Sequence, residues 1–190
     1  MTAGDAFLER RDDPSDGAWA ARWGHLIREV PDFPSPGIVF RDITPMLHDI
    51  EALRAANDAL AQAAARLGAS MVAGVEARGF IFGVPVAERL NVPFVPVRKP
   101  GKLPAAYASA AYELEYGSGE LQVHRDPTVA GHRVVVVDDL LATGGTAAAA
   151  ARLVRELGGT PAGFVFLIEL EALGGRARLE GLPATALVRY

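Results

Sequence analysis

The segment that most constrains the fold is the run VVVVDDLLATGGTAAAAA at residues 134–151. Its four consecutive valines predict a strand buried on both faces, which is typical of a parallel sheet covered by helices. A turn of small residues follows, and the alanine-rich stretch after it favours a helix. This strand–turn–helix unit predicts an α/β protein in which strands and helices alternate along the chain.

The turn of this unit has the features of a site for a phosphorylated sugar. Unpaired backbone N–H groups and the helix dipole favour an anion at a helix N-terminus, and glycines let the backbone approach it closely. The hydroxyls of Thr143 and Thr146 can also donate hydrogen bonds. Asp138 and Asp139, at the end of the predicted strand, suit sugar hydroxyls or a magnesium ion. The alternative is an ordinary β-turn-α corner. The candidate phosphate-binding residues are Ala142, Thr143, Gly144, Gly145 and Thr146.

Several common catalytic motifs are absent from the sequence. No lysine follows the glycines as in the GxxxxGK[ST] loop, and the run has no GxGxxG fingerprint of dinucleotide-binding proteins. The chain has no cysteine, which excludes disulfides, thiolate catalysis and cysteine-based zinc sites. The four histidines lack the spacing of metal ligands.

The rest of the chain repeats the alternation of strands and helices. Strands are predicted at 71–75, 92–98, 133–137, 163–168 and 185–190, with a short strand and turn at 37–43. Helices are predicted at 18–29, 50–67, 79–90, 146–157 and near 171–179. The pattern predicts a parallel, doubly wound sheet, in which ligands bind at the carboxyl ends of the strands.

The domain organisation follows from breaks in this pattern. Residues 1–16 are polar and acidic, and we predict a mobile extension followed by a single domain at 17–190. Residues 100–111 are rich in Gly, Pro and small residues, which predicts a mobile loop. Segments 111–116 and 120–125 flank a Gly-Ser-Gly turn and predict a β-hairpin. Loop and hairpin together, about 98–125, form either a lid over the crevice or a surface hairpin without a chemical role.

Charge and hydropathy narrow the class of partner. The formal net charge is −4 and no basic stripe is present, which argues against nucleic-acid binding. No apolar run approaches the roughly 20 residues that a membrane span needs. The acidic N-terminus lacks the order of a signal peptide, so we expect a cytoplasmic protein.

The 134–151 run resembles the ribose-phosphate signature of the type I phosphoribosyltransferases, which use phosphoribosyl pyrophosphate (PRPP). Three further segments are similar to the adenine-specific branch: PDFPSPGIVFRDITPML at 31–47, GVEARGFIFG at 74–83, and RKPGKLP followed by YELEYG within 98–117. The resemblance covers about 23–190. It implies a doubly wound parallel sheet with a small hood and a flexible hairpin lid. It also implies a homodimer in which Mg²⁺ is bound mainly through PRPP rather than by a protein metal site.

The implied reaction joins adenine to PRPP and gives AMP and pyrophosphate. By this resemblance, residues 76–79 correspond to the family's pyrophosphate loop, with a cis peptide at Glu76–Ala77. Arg78 would bind the leaving group, and the carboxylates of Asp138 and Asp139 would hold the ribose near its developing charge. Many relatives have Asp-Ser where this chain has Glu76-Ala77, so a side-chain role for these two residues stays open. Further cations would be Arg98, Lys99 and Lys102, although exposed lysines can also be ordinary surface charges.

The resemblance places the adenine base at residues 39–41. The Val39 carbonyl would accept from the 6-amino group and the Arg41 N–H would donate to N1. A 6-oxo purine reverses this pattern and leaves buried groups unpaired. Phe40 and Leu141 are candidates to pack on the ring faces, with plain core packing as the alternative for Phe40.

The lid motif supplies two more candidates. Glu115 would act as the acid/base partner near N7 of adenine while N9 loses its proton, and burial under a closed lid would raise its pKa. Tyr116 would close over the sugar or the leaving group. The alternative for Glu115 is an exposed strand residue.

Two other functions compete with this one. A sister transferase would act on xanthine, hypoxanthine or orotate, against which residues 39–41 and Glu115 argue. A PRPP-sensing regulator would need a DNA-reading module and a basic face, which the short acidic extension does not provide.

Overall fold

The computed structural model describes residues 17–113, 118–125 and 129–190. In chain order, its elements are α1 (Ala18–Trp23), β1 (Arg28–Pro31), β2 (Val39–Asp42), α2 (Thr44–Leu47), α3 (Ile50–Arg66), β3 (Met71–Val75), α4 (Gly79–Leu90), β4 (Phe94–Val97), β5 (Tyr107–Glu113), β6 (Ser118–His124), β7 (Arg133–Leu141), α5 (Gly145–Glu156), β8 (Thr160–Glu169) and β9 (Ala184–Arg189). Short 3₁₀ turns lie at Gly24–Leu26, Glu171–Leu173 and Gly175–Arg178. None of the helices in the described ranges is long and apolar enough to cross a membrane.

A five-stranded parallel sheet in the order β4-β3-β7-β8-β9 forms the centre of the molecule. Helices α3 and α4 pack on one face through residues such as Leu60 and Phe82, which share a core cluster with Val135. Helix α5 and the β5–β6 hairpin pack on the other face, where Leu153 shares a cluster with Val136. The predicted doubly wound parallel sheet is therefore confirmed.

Strand β7 extends beyond its predicted end at Val137. Asp138 still pairs with Phe166 of β8, and Leu141 pairs with Glu169. The valine run predicts that the two carboxylates follow the end of the strand. In the structure they lie within the paired strand instead. Strand β7 is longer than predicted because its neighbour β8 continues to Glu169 and pairs with β7 as far as Leu141.

The hood is the antiparallel pair β1–β2 together with α1. The predicted helix at 18–29 was wrong in its second half, because α1 ends at Trp23 and Arg28–Pro31 is a strand. Strand β1 pairs with β2 over the full four residues, and Arg28 forms an ion pair with Asp42 opposite it. Pairing with a segment some ten residues away thus outweighs the local helical spacing.

The hairpin is confirmed, but it begins earlier than predicted. Strand β5 starts at Tyr107, inside the segment predicted as a loop, because residues 107–113 pair with 118–124. The hairpin also bonds to the end of β4, through reciprocal backbone N–H···O bonds of 2.8 and 2.7 Å between Arg98 and Gln122. The predicted site residues Glu115 and Tyr116 lie outside the described residues. The helix predicted near 171–179 is instead two 3₁₀ turns interrupted at Gly174, which has φ +62°.

Candidate active site

The phosphate corner, residues 142–146, connects β7 to α5. Gly144 adopts φ +81°, a conformation that glycine reaches without steric cost, and it precedes the first residue of α5. No side chain in the described ranges caps this helix, and its first turn carries no acidic residue. Its first backbone amides therefore have no side-chain cap among the described residues.

A short turn forms the back wall of the phosphate corner. This back turn is the 3₁₀ segment Gly175–Arg178, and its main chain touches the main chain of the corner. A Cβ atom on Gly144 would lie 2.3 Å from the Gly175 carbonyl oxygen, and one on Gly175 would lie 2.2 Å from the Ala142 carbonyl oxygen. Sequence reasoning missed the back turn, and the adjacent glycines at 174 and 175 were its only local signal.

The aspartate pair lies beside the pyrophosphate corner, residues 76–79. The Asp139 N–H donates to Oδ1 of Asp138 at 2.9 Å, and Oδ2 of Asp139 pairs with Nε of Arg78 at 2.7 Å. A Cβ on Gly79 would lie 2.9 Å from Oδ1 of Asp138, so glycine is needed where the two segments meet. The structure thus brings together three of the residues predicted for the site.

Burial and charge act together on these carboxyl groups. Burial raises the pKa of Asp138, and the neighbouring Asp139 raises it further. Burial also raises the pKa of Asp139, an effect that the Arg78 guanidinium opposes. The pair is an arrangement of negative charge that a positively charged ligand group would stabilise.

The pyrophosphate corner contains the predicted cis peptide between Glu76 and Ala77. The carboxylate of Glu76 accepts hydrogen bonds from the Lys99 backbone N–H at 2.9 Å and from Nε of Arg98 at 3.0 Å. These bonds, that of Lys99 first, hold the pKa of Glu76 below its ordinary value, against the effect of burial. The role that the sequence left open for Glu76 is therefore to fasten the basic segment to this corner.

The predicted cations differ in their surroundings. Arg98 is partly buried against Glu76, whereas the side chains of Lys99 and Lys102 are exposed. Lys102 is close enough for its charge to lower the pKa of Glu76. Arg78 is 40% exposed, so its guanidinium can contact a ligand while it stays paired to Asp139.

The base slot, residues 39–41, lies on strand β2 of the hood. Phe40 is half-buried, outside both core clusters, and packs edge-to-face on Phe33 with ring centroids 5.2 Å apart. The Arg78 guanidinium lies 5.5 Å from the centre of the Phe40 ring. This contact joins the hood to the aspartate pair through Arg78.

The base slot has backbone polar groups along one edge of β2. Val39 lies opposite Pro31, and Arg41 opposite Glu29, in the register of β1 against β2. Val39 and Arg41 are two residues apart, so their backbone polar groups point to the same edge of the strand. The Arg41 side chain pairs with Glu29, and its guanidinium lies 3.7 Å from the centre of the Tyr190 ring.

One predicted contact with the base is wrong. Leu141 is 1% exposed and belongs to the core cluster under α5, where its Cδ1 approaches Gly175. Side chains alternate along a strand, so the preceding residue, Leu140, faces the other side and is partly exposed. Leu140 therefore replaces Leu141 as the candidate for a ring contact.

The described residues contain a cavity of about 430 Å³ between the hairpin and α5. Of its lining residues, only Gly145 belongs to the predicted site. Arg152, which also lines the cavity, donates a hydrogen bond to the Ala111 carbonyl and so fastens the hairpin to α5.

Comparisons with known proteins agree with this geometry. The model of the phosphoribosyl transferase domain matches residues 45–179. The adenine phosphoribosyltransferase of Gloeobacter violaceus is 60% identical, over 86% of this chain and 96% of that protein. The Streptomyces coelicolor protein of the same name is 58% identical, over 85% of this chain and 91% of its own length.

Solved structures are similar over most of their length. The adenine phosphoribosyltransferase of Thermoanaerobacter pseudethanolicus has a TM-score of 0.85 and 51% identity, covering 88% of this chain and 97% of that one. The Saccharomyces cerevisiae protein of that name, complexed with an imino-altritol bisphosphate and adenine, has a TM-score of 0.83 and 39% identity. That match covers 89% of this chain and 98% of the yeast chain.

Proposed function

The chain belongs to the phosphoribosyl transferase family, and from this premise we propose that it transfers the phosphoribosyl group of PRPP to adenine, giving AMP and pyrophosphate. It is a pentosyltransferase of purine salvage, as its relatives at 58–60% identity indicate. The observation that carries the proposal is the placement of three elements at the carboxyl end of β7. These are the uncapped start of α5, the aspartate pair, and the Arg78 guanidinium.

The phosphate corner holds the 5′-phosphate of PRPP. The first amides of α5 donate to its oxygens, and the hydroxyls of Thr143 and Thr146 add further donors. Because Gly144 and Gly175 are in main-chain contact, the corner has a fixed position before the ligand arrives. A preformed set of donors costs little reorganisation on binding.

Asp138 and Asp139 act on the ribose. At C1′ the bond to pyrophosphate breaks as the bond to N9 of adenine forms, and positive charge develops on the sugar. Carboxylates close to that charge stabilise it, because the surroundings are partly desolvated. Hydrogen bonds from the ribose hydroxyls relieve the repulsion that raises the pKa of Asp138 in the free protein.

Arg78 binds the departing pyrophosphate, since its planar fork can pair with two phosphate oxygens. Arg98, Lys99 and Lys102 supply further positive charge, and Glu76 fixes the segment that carries them. These cations stabilise the leaving group as its negative charge grows.

Magnesium fits this site as a partner of the substrate. In the described ranges, no cluster of three or more His, Asp or Glu side chains could hold a metal by itself. Mg²⁺ usually binds through one or two carboxylates together with substrate phosphates, and Asp138 and Asp139 offer that donor set. When bound, the ion neutralises charge on the phosphate oxygens.

Adenine binds at the base slot by its Watson–Crick edge. The Val39 carbonyl accepts from the 6-amino group and the Arg41 N–H donates to N1, from the same edge of β2. A 6-oxo purine leaves both groups without partners, at a cost of about 1–3 kcal/mol each. Phe40 and Leu140 are the candidates to pack on the ring.

Glu115 remains the proposed acid/base partner, and Tyr116 the proposed residue that closes over the substrate. We expect Glu115→Gln to lower kcat by roughly 100-fold, in the range typical of general acid–base groups, with little change in PRPP affinity. Steady-state kinetics and calorimetry with PRPP check this. An equal loss of kcat and affinity would remove the acid/base role.

The family resemblance also supports a homodimer located in the cytoplasm. Sedimentation equilibrium tests the dimer, and a mass equal to one chain at micromolar concentration would exclude it. Localisation of the tagged protein in cells tests the compartment.

A spectrophotometric assay with PRPP and Mg²⁺ tests the central proposal, using adenine, hypoxanthine and guanine in parallel. We expect turnover of adenine and at least 10-fold lower kcat/KM for the 6-oxo purines, from the unpaired groups described above. Turnover of a 6-oxo purine alone would favour the sister enzyme. Tight PRPP binding without turnover of any base would favour the sensor.

A further inference from the structure

The end of β8 carries a buried carboxylate that the mechanism does not use. The side chain of Glu169 is 5% exposed, and both of its oxygens accept hydrogen bonds of 2.6 Å from Nε and Nη2 of Arg176. Nη1 of Arg176 donates to the Ala184 carbonyl at 2.8 Å. Bidentate pairs of arginine and carboxylate are among the strongest hydrogen-bonded ion pairs. Removing Arg176 would leave the buried charge of Glu169 without this partner.

Arg176 belongs to the back turn that lies against the phosphate corner. The Gly175 carbonyl oxygen would be 2.3 Å from a Cβ on Gly144, and the Ala142 carbonyl oxygen 2.2 Å from a Cβ on Gly175. The Leu170 N–H also donates to the Leu141 carbonyl at 2.9 Å, which joins the ends of β7 and β8. A shift of the back turn therefore moves the main chain that presents the phosphate-binding amides.

The back turn has little internal support. It is a single 3₁₀ turn of four residues, preceded by Gly174 with φ +62°, and such short turns have poor internal hydrogen-bond geometry. The fork between Arg176 and Glu169 anchors it to the sheet. Arg189 is also near this carboxylate, at 3.6 Å, but it is too distant for a hydrogen bond.

We propose that Glu169 and Arg176 are positioning residues for PRPP: their ion pair holds the back turn, and through it the phosphate corner, in the geometry that binds the 5′-phosphate. The inference rests on the proposed function of the phosphate corner. Neither residue is assigned a contact with the substrate. Their effect is therefore confined to ligands that carry the phosphate.

The first test uses Arg176→Lys, which keeps the charge and loses the fork, and Arg176→Met, which loses both. We expect the KM for PRPP to rise roughly 10-fold for the lysine variant and up to about 100-fold for the methionine variant, since small displacements of binding groups have effects of this size. The KM for adenine stays within about twofold of wild type, because the base slot is on the hood.

Arg155→Met is the matched control. It removes the ion pair at 2.8 Å between Arg155, which lies on α5, and Glu180; both side chains are exposed and neither belongs to the phosphate corner. We expect both KM values to stay unchanged in this variant. Thermal unfolding of all three variants shows whether each is folded. If Arg176→Met does not fold, the test relies on Arg176→Lys.

The second test separates positioning from general destabilisation. Calorimetry with AMP and with adenosine measures the contribution of the phosphate to binding. We expect Arg176→Lys to weaken the binding of AMP and to leave the binding of adenosine unchanged. Equal losses for AMP and adenosine, or unchanged affinity for both, would overturn the inference. If wild-type protein turned over no adenine, the proposed function would fail instead, whatever the Arg176 variants did.

Discussion

The phosphate corner and the base slot are held in place by different parts of the chain. The corner lies at the centre of the sheet and is fixed by main chain against main chain, where Gly144 meets Gly175. The slot lies on the two-stranded hood and is fixed by side chains. Phe40 packs on Phe33, and Arg41 contacts Glu29 and Tyr190.

This difference separates two tasks. In the proposed function, the grip on the phosphoribosyl group requires donors at fixed positions, and glycine contacts in a parallel sheet provide them. Base recognition, as proposed, depends on a peripheral strand whose side-chain supports can change one at a time. We therefore expect substitutions in the corner to abolish PRPP binding and substitutions around the slot to change adenine binding by degrees.

The largest effect is expected for Gly144→Ala. The added Cβ would lie 2.3 Å from the Gly175 carbonyl oxygen, and alanine is strained at the φ of +81° found here. The main chain of the corner must therefore move. We expect the KM for PRPP to rise more than about 100-fold, measured by steady-state kinetics.

Gly131→Ala is the control for backbone strain, because Gly131 has φ +78° but no neighbour within 4 Å. It should cost about 1–2 kcal/mol of unfolding free energy, the ordinary penalty of this conformation, and leave both KM values unchanged. A similar stability and kinetic result for both variants would contradict the close contact at Gly144.

The next effect concerns the link between the two corners. Asp139→Asn removes the charge that pairs with Arg78 at 2.7 Å while keeping the shape of the side chain. We expect PRPP affinity to fall roughly 10-fold, since hydrogen bonds to charged groups contribute about 1.5–3 kcal/mol.

Asp58→Asn, which alters the more exposed Asp58–Arg89 pair between α3 and α4, is the matched control and should leave PRPP affinity unchanged. Calorimetric titration with PRPP compares the two variants. Unchanged affinity in Asp139→Asn would argue against its role with the ribose and pyrophosphate.

A smaller effect is expected at the base slot. Tyr190→Ala removes the ring on which the Arg41 guanidinium lies, a contact of about 0.5–2 kcal/mol. The KM for adenine should rise by roughly 2- to 10-fold while that for PRPP is unchanged. Tyr190→Phe, which keeps the ring, should behave as wild type. A rise in the KM for PRPP alone would reverse the assignment of the two regions.

The smallest expected effect is a pH-dependent change in thermal stability at Asp138. Burial and Asp139 raise the pKa of Asp138 above its ordinary value of 3.8, so the folded state binds more protons than the unfolded state above that pH. Stability is then lost as the pH rises through the folded-state pKa. Asp138→Asn removes this loss, so it should raise the Tm at pH 8 and have little effect near pH 4, while it lowers activity. A Tm difference independent of pH would contradict the raised pKa.

The sequence was most informative where local pattern decides the structure. The valine run, the small turn and the alanine-rich helix predicted the strand, the turn and the helix of the β7–α5 unit. It was least informative where distant segments decide. Arg28–Pro31 becomes a strand because it pairs with β2, and the back turn forms through contacts between Gly175 and a segment some thirty residues earlier.

The error at Leu141 has the same origin. The composition of the strand end does not reveal which of two adjacent leucines faces the core, because this depends on the register of β7 against β8. Likewise, the role of Glu76 depends on its bonds to Arg98 and Lys99, which follow the next strand.

A crystal structure of the protein with AMP tests the central claim most directly. We expect the phosphate at the amides of residues 143–146, the ribose hydroxyls at Asp138 and Asp139, and the adenine edge at Val39 and Arg41. A phosphate bound elsewhere, with the phosphate corner empty in a fully occupied complex, would contradict it.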